Sequence, residues 1–264
     1  MDTPNLQIEV ADGIAWVTLN RPGRLNALDP ELIEALHDFF RGLHTRSPAR
    51  VVVLGGAGRA FCSGLDLKAM QPAGARRSVS EMLETQKSIR DIVLAMRRCP
   101  QPIIGMVQGA ASGGGFALAL ACDVRLATPD ARMNAAFIRV GLTACDIGVS
   151  YFLPRMVGAS VAAEFMLTGR FMDAQRALGL GLVSLVAPLP ELEVEARAMA
   201  ADMLAATPLG LRLTKDALSL SIDAPSLEAA IALEDRNQVL CTQGEDFAEG
   251  VAAFLDKRSP RYSA

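Results

Sequence analysis

The chain has 264 residues and two histidines, His37 and His44, both in one N-terminal stretch. No histidine follows Ser112 or Cys145, so a Ser–His or Cys–His relay, in which an imidazole activates the nucleophile, has no evident partner. The five cysteines, Cys62, Cys99, Cys122, Cys145 and Cys241, are odd in number and scattered, with no C-x-x-C pair. That spacing argues against a disulfide framework and against a zinc site, and points to reduced thiols. No apolar run approaches the ~18 residues of a membrane span, and the N-terminus MDTPNLQIEVADG lacks a basic segment followed by an apolar one. The expectation is a cytoplasmic protein with no membrane partner. A net charge of −3, with acids and bases interspersed, gives no footprint for nucleic acid.

What is present is apolar and small. About half the residues are hydrophobic (51%) and 22 are glycine, enough for one sizeable core in one or two domains. Strands and helices alternate up to about residue 190. LQIEV and IAWVTL, split by Asp12-Gly13, form a predicted hairpin, since Asp-Gly supplies the positive φ angles of a tight turn. DPELIEALHDFFRGL reads as a helix with Asp29 as N-cap and Pro30 at the first position. RVVVLGG and PIIGMVQG are short buried strands, with an amphipathic helix between them from Ser80 to Arg98. PAGARRS, Pro72 to Ser78, reads as a mobile loop. After about residue 190 the pattern is helical only, with Pro208 and Pro225 near helix starts. The predicted division is 1–190, an α/β core, and 191–264, a helical region.

Three glycines stand together in AASGGGFALALACD, Ala110 to Asp123, at the mouth of an apolar helix pattern. Glycine is disfavoured inside a helix, so Gly113, Gly114 and Gly115 need a compensating close approach by a ligand or by another backbone. VVVLGGAGRAFCSGLDL and PIIGMVQGAASGGGFAL share one pattern of strand, glycine turn, small residues, then Ser-Gly. Two equivalent turns on neighbouring strands would bring the free N–H groups of Leu65 and Gly114 together. Such a pair forms an oxyanion hole, which stabilises charge developing on a carbonyl oxygen. Packing alone is the competing account of such a cluster.

Six segments, in order, resemble the crotonase superfamily of enoyl-CoA hydratases and isomerases: LNRPGRLNAL, AFCSGLDLKAM, QGAASGGGFALALACDVRLAT, VGLTACDIGVSYFLPRMVG, LTGRFMDAQRALGLGLVSLV and AFLDKRSPRY. They span nearly the whole chain. The resemblance implies a spiral of ββα units followed by a helical C-terminal region used for trimer contacts, as a homotrimer or a dimer of trimers. It implies an acyl-CoA substrate and no separate cofactor, coenzyme A being part of the substrate. The matching N–H groups, those of Leu65 and Gly114, then bind the thioester oxygen. Gly113 belongs to the same turn. Arg24, Leu25 and Ala27 match the segment along the pantetheine and nucleotide; Ser63, Asp66, Leu67 and Lys68 lie in the segment holding adenine and pantetheine. Phe254 and Lys257 match residues that can reach a neighbouring subunit's coenzyme A. Plain surface charge is the alternative for Arg24 and Lys68, and a structural hydrogen bond for Asp66.

The chain departs from the family pattern at the carboxylates. The two positions where a hydratase carries its water-positioning glutamates are Ala117 and Phe137, neither of which can transfer a proton. The nearest carboxylate that could project into the same pocket is Asp146 in TACDIGVSY. It matches an aspartate used for proton transfer in dienoyl-CoA isomerases and as a nucleophile in an aromatic acyl-CoA dehalogenase. The competing account of Asp146 is a helix N-cap before IGVSYFLP. Cys145 beside it reads as a buried small hydrophobe, and Tyr151 and Arg155 as helix packing and a subunit contact. These residues leave three readings. The first is an enzyme that moves protons on an enolate, with isomerisation favoured over hydration. The second is a displacement or hydrolysis through Asp146, and the third a non-catalytic acyl-CoA binding protein.

Overall fold

The computed structural model describes residues 3–44, 47–70 and 77–262. Of the predicted Pro72–Ser78 loop, residues 72–76 lie outside the described residues. Strands β1 (Leu6–Ala11) and β2 (Ile14–Leu19) pair antiparallel in a register that sets Ala11 opposite Ile14. The two-residue turn between them has φ +52° at Asp12 and +78° at Gly13, as the Asp-Gly pair predicts. Helix α1 (Pro30–Gly42) starts as expected, with the Asp29 side chain accepting from the Leu32 N–H. β3 (Val51–Gly56), α2 (Leu67–Met70) and α3 (Val79–Arg98) follow. A reciprocal cap between Ser78 and Glu81 fixes the α3 start.

From here the chain repeats one unit. β4 (Ile103–Val107) joins the large sheet, β5 (Ala110–Ser112) a smaller one, and α4 (Gly114–Ala121) returns the chain. β6 (Val124–Ala127), β7 (Arg132–Asn134) and α5 (Val149–Val157) do the same in the next turn. This is the expected spiral of two strands and a helix. α6 (Ala159–Thr168), β8 (Met172–Asp173), α7 (Ala174–Gly179) and β9 (Leu185–Val186) complete it. The large sheet runs β1-β2-β3-β4-β6-β9 and is parallel beyond the first hairpin; the small one runs β5-β7-β8.

Alternate residues of the central strands feed two cores, because strand side chains point to opposite faces in turn. Val52, Leu54 and Ile103 face α1, α3 and α4 in the larger core. Val51, Val53, Ile104 and Met106 face the other way, where α8 (Leu189–Leu204) covers them with Leu192, Ala196 and Ala200. Those three stand four residues apart and form one helical stripe. Helices α9 (Pro208–Ser221), α10 (Leu227–Thr242) and α11 (Glu245–Leu255) follow, with many apolar side chains exposed: Leu218 is 69% exposed, Leu227 71% and Phe254 83%.

Candidate active site

The two similar turns run side by side. After β3 the Phe61 and Cys62 N–H groups donate to the carbonyls of Gln108 (2.7 Å) and Ala110 (3.0 Å), and Ser112 N–H returns a bond to Cys62 (2.9 Å). This stitching decides two of the three glycines. A Cβ on Gly115 would stand 2.0 Å from the Cys62 carbonyl oxygen, so backbone approach, and no ligand, forbids a side chain there. Gly113 has φ +52°, which a residue with a Cβ rarely adopts. Gly114 is different: its hypothetical Cβ meets mainly the end of the Leu28 side chain, at 3.1 Å.

Gly114 opens α4, so its N–H has no acceptor within the helix. Leu65 follows Gly64 directly, and a Cβ on Gly64 would lie 3.4 Å from the Gly114 nitrogen. Among the described residues no hydrogen bond takes up the N–H of Leu65 or of Gly114. Both residues line one cavity of about 180 Å³. Ser63, Leu67, Gly113, Phe137 and Asp146, all expected at the site, line it as well. Ala117 is fully buried in α4 and does not.

The loop after β2 holds this wall from behind. The Leu28 N–H donates to the Gly64 carbonyl (2.8 Å), Asp66 N–H to Leu28 (2.9 Å) and Ser63 N–H to Leu25 (3.0 Å). Leu25 and Asn26 reach these partners only with φ of +51° and +54°. Asn26 is wholly buried; its side-chain amide donates to the carbonyls of Ala57 (2.9 Å) and Ala60 (2.7 Å), and its oxygen accepts from the Arg21 N–H (2.8 Å). The Arg21 guanidinium bonds the Ala27 carbonyl and pairs with Asp29 (3.0 Å) and Asp66 (3.2 Å). Asp66 accepts from the Ala69 N–H in α2; that bond foremost, and Arg21 beside it, hold its carboxyl below the ordinary range. Asp66 thus makes the kind of structural hydrogen bond weighed for it from sequence. Arg21 and Asn26 were not singled out there, although both stand in NRPGRLNAL. Arg24 and Lys68 are exposed beside this brace, Ala27 is buried in it, and none of the three lines the cavity. Phe254, near the end of α11, and Lys257, just beyond it, do not line it either.

Asp146 lines the same cavity and is not a helix cap. Gly148, at φ +95°, caps α5, while the Asp146 carbonyl accepts from Val149 (2.9 Å). The Asp146 Oδ1 accepts from the N–H of Ile147 (2.8 Å), itself at φ +34°, and from the Gln86 side-chain amide on α3. Among the described residues no donor occupies Oδ2. Gln86 stands sixty positions from Asp146 on a helix face read as amphipathic surface, so sequence spacing gave no hint of the pair. Cys145 is exposed, its N–H bound to the Thr143 hydroxyl, so the expectation of a buried hydrophobe fails there. Cys62, behind the wall that carries Leu65 and Gly114, is fully buried, and burial pushes its thiol up to about 12, which removes it as a nucleophile. Tyr151 and Arg155 pack together and both bind Asp223 beyond α9, at 2.5 and 3.0 Å, fixing α5 to the helical region. Among the described residues no cluster of three metal-ligating side chains exists, and no helix is long and apolar enough to cross a membrane.

A cavity walled by two free backbone donors and one carboxylate can hold a carbonyl oxygen and move a proton beside it. Comparisons with known proteins agree with that chemistry. The family model for enoyl-CoA hydratase/isomerase matches residues 9–264. A probable enoyl-CoA hydratase of Mycobacterium tuberculosis is 40% identical over 95% of this chain and 89% of its own length. The 1,2-epoxyphenylacetyl-CoA isomerase of Escherichia coli is 32% identical over 96% of each. A putative enoyl-CoA hydratase from Streptomyces coelicolor superposes with a TM-score of 0.92 at 38% identity, covering 100% of this chain and 96% of that one. The chain belongs to the enoyl-CoA hydratase/isomerase family, within the crotonase superfamily, and acts as an enzyme on acyl-CoA thioesters.

Proposed function

We propose that the enzyme shifts a double bond along an enoyl-CoA, with Asp146 as both base and acid. The observation that carries this reading is the content of the cavity: among the described residues lining it, Asp146 is the one titratable side chain. Relatives carry both hydratase and isomerase names, so the names do not choose between the reactions. Hydration needs a water held and activated together with a proton delivered to carbon, work divided between two glutamates where both are present. Here those positions carry Ala117 and Phe137.

In this mechanism the thioester oxygen of a 3-enoyl-CoA accepts hydrogen bonds from the Leu65 and Gly114 N–H groups. Asp146 Oδ2 removes a proton from C2; the electron pair passes into the conjugated dienolate, and its charge collects on the thioester oxygen. The same carboxyl group, now protonated, returns the proton at C4, leaving the double bond between C2 and C3. Gln86 and the Ile147 N–H keep Oδ1 fixed while Oδ2 serves both carbons. Arg24, Leu25, Ala27 and Lys68 lie along the coenzyme A. The exposed apolar side chains of α10 and α11 pack in a threefold oligomer, where Phe254 and Lys257 reach a neighbour's coenzyme A.

Turnover in D₂O tests the reaction. The expected result is isomerisation of 3-hexenoyl-CoA, with solvent deuterium entering at C2 and C4 to the extent that the protonated carboxyl exchanges with solvent before it returns its proton, and crotonyl-CoA hydration at least ~100-fold slower, within the range a missing general base costs. Hydration as fast as isomerisation overturns the reading. A covalent acyl-aspartate would establish displacement instead, and saturable binding with neither exchange nor turnover a binding protein. Light scattering tests the assembly: a mass three or six times that of the chain is expected, and a monomer at micromolar concentration excludes it.

A further inference from the structure

A second cavity, of about 650 Å³, adjoins the first along the same face of α3. Gln86 and Ile89 line the catalytic cavity; Val93, Leu94 and Arg97, one and two turns further on, line the second. Its other walls come from α5, through Phe152 and Met156, and from α9, through Leu218 and Ile222. One side chain, Ile147, lines both cavities and is 8% exposed. It is the partition between them, and its Cδ1 also lies near Gly114. The catalytic cavity alone is below the roughly 300–1,000 Å³ of pockets that bury a small ligand, whereas the second falls inside that range.

We infer that the second cavity receives the distal part of the acyl group, so that the enzyme is built for acyl-CoA thioesters with long, apolar tails running past Ile147. This rests on the acyl-CoA site at Leu65 and Gly114. Three of the four arginines at the rim already have acidic partners: Arg97 binds Asp123 (2.7 Å) and Ser219 (2.6 Å), Arg155 binds Asp223 (3.0 Å) and Arg90 pairs with Asp91 (2.9 Å). At those three an anionic tail would have to displace the partner. An apolar tail would instead cover Leu94, Leu218 and Ile222, which are 37%, 69% and 60% exposed.

Binding of saturated thioesters tests this without relying on turnover. Each methylene taken from water strengthens binding about fourfold when fully buried, so decanoyl-CoA should bind at least ~30-fold more tightly than butyryl-CoA by calorimetry. Leu94→Trp, at a part-exposed position that accepts a larger side chain, should remove most of that preference while leaving butyryl-CoA affinity within about twofold. Ile147→Ala should enlarge the preference. Equal affinity for the two thioesters in the wild type overturns the inference, as does a Leu94→Trp protein that keeps the full preference. A Leu94→Trp change confined to oligomer mass would assign the cavity to a second copy of the chain and also overturn it. If the length dependence appears but no double bond moves, the isomerase reading fails and this one stands.

Discussion

On one wall of the catalytic cavity, the Leu65 and Gly114 N–H groups sit on turns stitched to each other and braced from behind by Leu25, Asn26 and Leu28. On the other wall, Asp146 rides on residues 141–148, where Gly141, Leu142, Thr143 and Cys145 are exposed and Gly141, Ile147 and Gly148 have positive φ. The contrast suits the proposed chemistry. Donors that stabilise a developing oxyanion are most useful when they need not reorganise as charge appears. A carboxylate that serves both C2 and C4 needs one oxygen held and one able to reach, which Gln86 and the Ile147 N–H provide.

The harshest way to break this contrast is to make one substitution on both walls. Gly115→Ala would put a methyl 2.0 Å from the Cys62 carbonyl oxygen, a backbone atom with no rotamer to yield. The two turns must then separate, with an expected loss of at least ~3 kcal/mol in stability and at least ~100-fold in turnover as the oxyanion donors part. Gly141→Ala meets nothing within 4 Å and carries only the cost of φ +82°, about 1–2 kcal/mol. Urea titrations with matched kinetics would measure both. Equal losses would mean that the oxyanion wall is no more rigid than the loop.

The next effect is chemical. Asp146→Asn keeps an acceptor for the Ile147 N–H and the Gln86 amide, and no helix depends on it as a cap. Stability should therefore change by no more than ~0.5 kcal/mol. Proton transfer should fall by about 10²–10⁴, with coenzyme A affinity unchanged. Retained exchange at C2 would move the base elsewhere.

Asn26→Ala should act on both quantities at once, because it strips partners from the Ala57 and Ala60 carbonyls and from the Arg21 N–H. Leaving buried polar groups unpaired costs about 2–4 kcal/mol here. The loosened loop should also lower turnover by ~10–100-fold, the scale of a small misplacement at the reacting centre. A stability loss with full kcat would show that the brace does not set the donors.

The stitched wall was largely legible in the sequence, for a physical reason. Strand, glycine turn and Ser-Gly recur in both segments, and local backbone geometry follows local residues. What that reading could not separate is why each glycine is there: Gly115 answers to the Cys62 carbonyl and Gly113 to its own φ, which leaves Gly114 as the one facing the cavity. The other wall was less legible. An aspartate ahead of IGVSYFLP suits a cap by local rules, yet α5 starts at Val149 behind Gly148, and that depends on how residues 141–148 pack. Cys145 misled in the same way, since a loop's exposure is a tertiary outcome. Arg21 and Asn26 were hidden by their neighbours, because a segment matched to coenzyme A contact gives no sign that two of its side chains point inward.

Gln86 was beyond sequence reach altogether, and it gives the finest test of the contrast. It sits exposed on α3, and its contact in the site is one amide bond to Asp146 Oδ1. Gln86→Leu should leave the fold intact, because a surface helix position tolerates leucine with little change in propensity. Thioester affinity should hold too, since the Leu65 and Gly114 donors are untouched. What changes is the freedom of the carboxylate: with the Ile147 N–H as its remaining donor, Oδ2 spends less time over C2 and C4, and kcat should fall about tenfold at constant KM. A purely structural Gln86 predicts the reverse, a lower melting temperature with kcat preserved. Combining Gln86→Leu with Asp146→Asn sharpens the point, because a residue that acts only through Asp146 adds nothing once the carboxylate is gone. An additive loss in the double variant would detach Gln86 from Asp146 and leave the carboxylate held by its own loop alone.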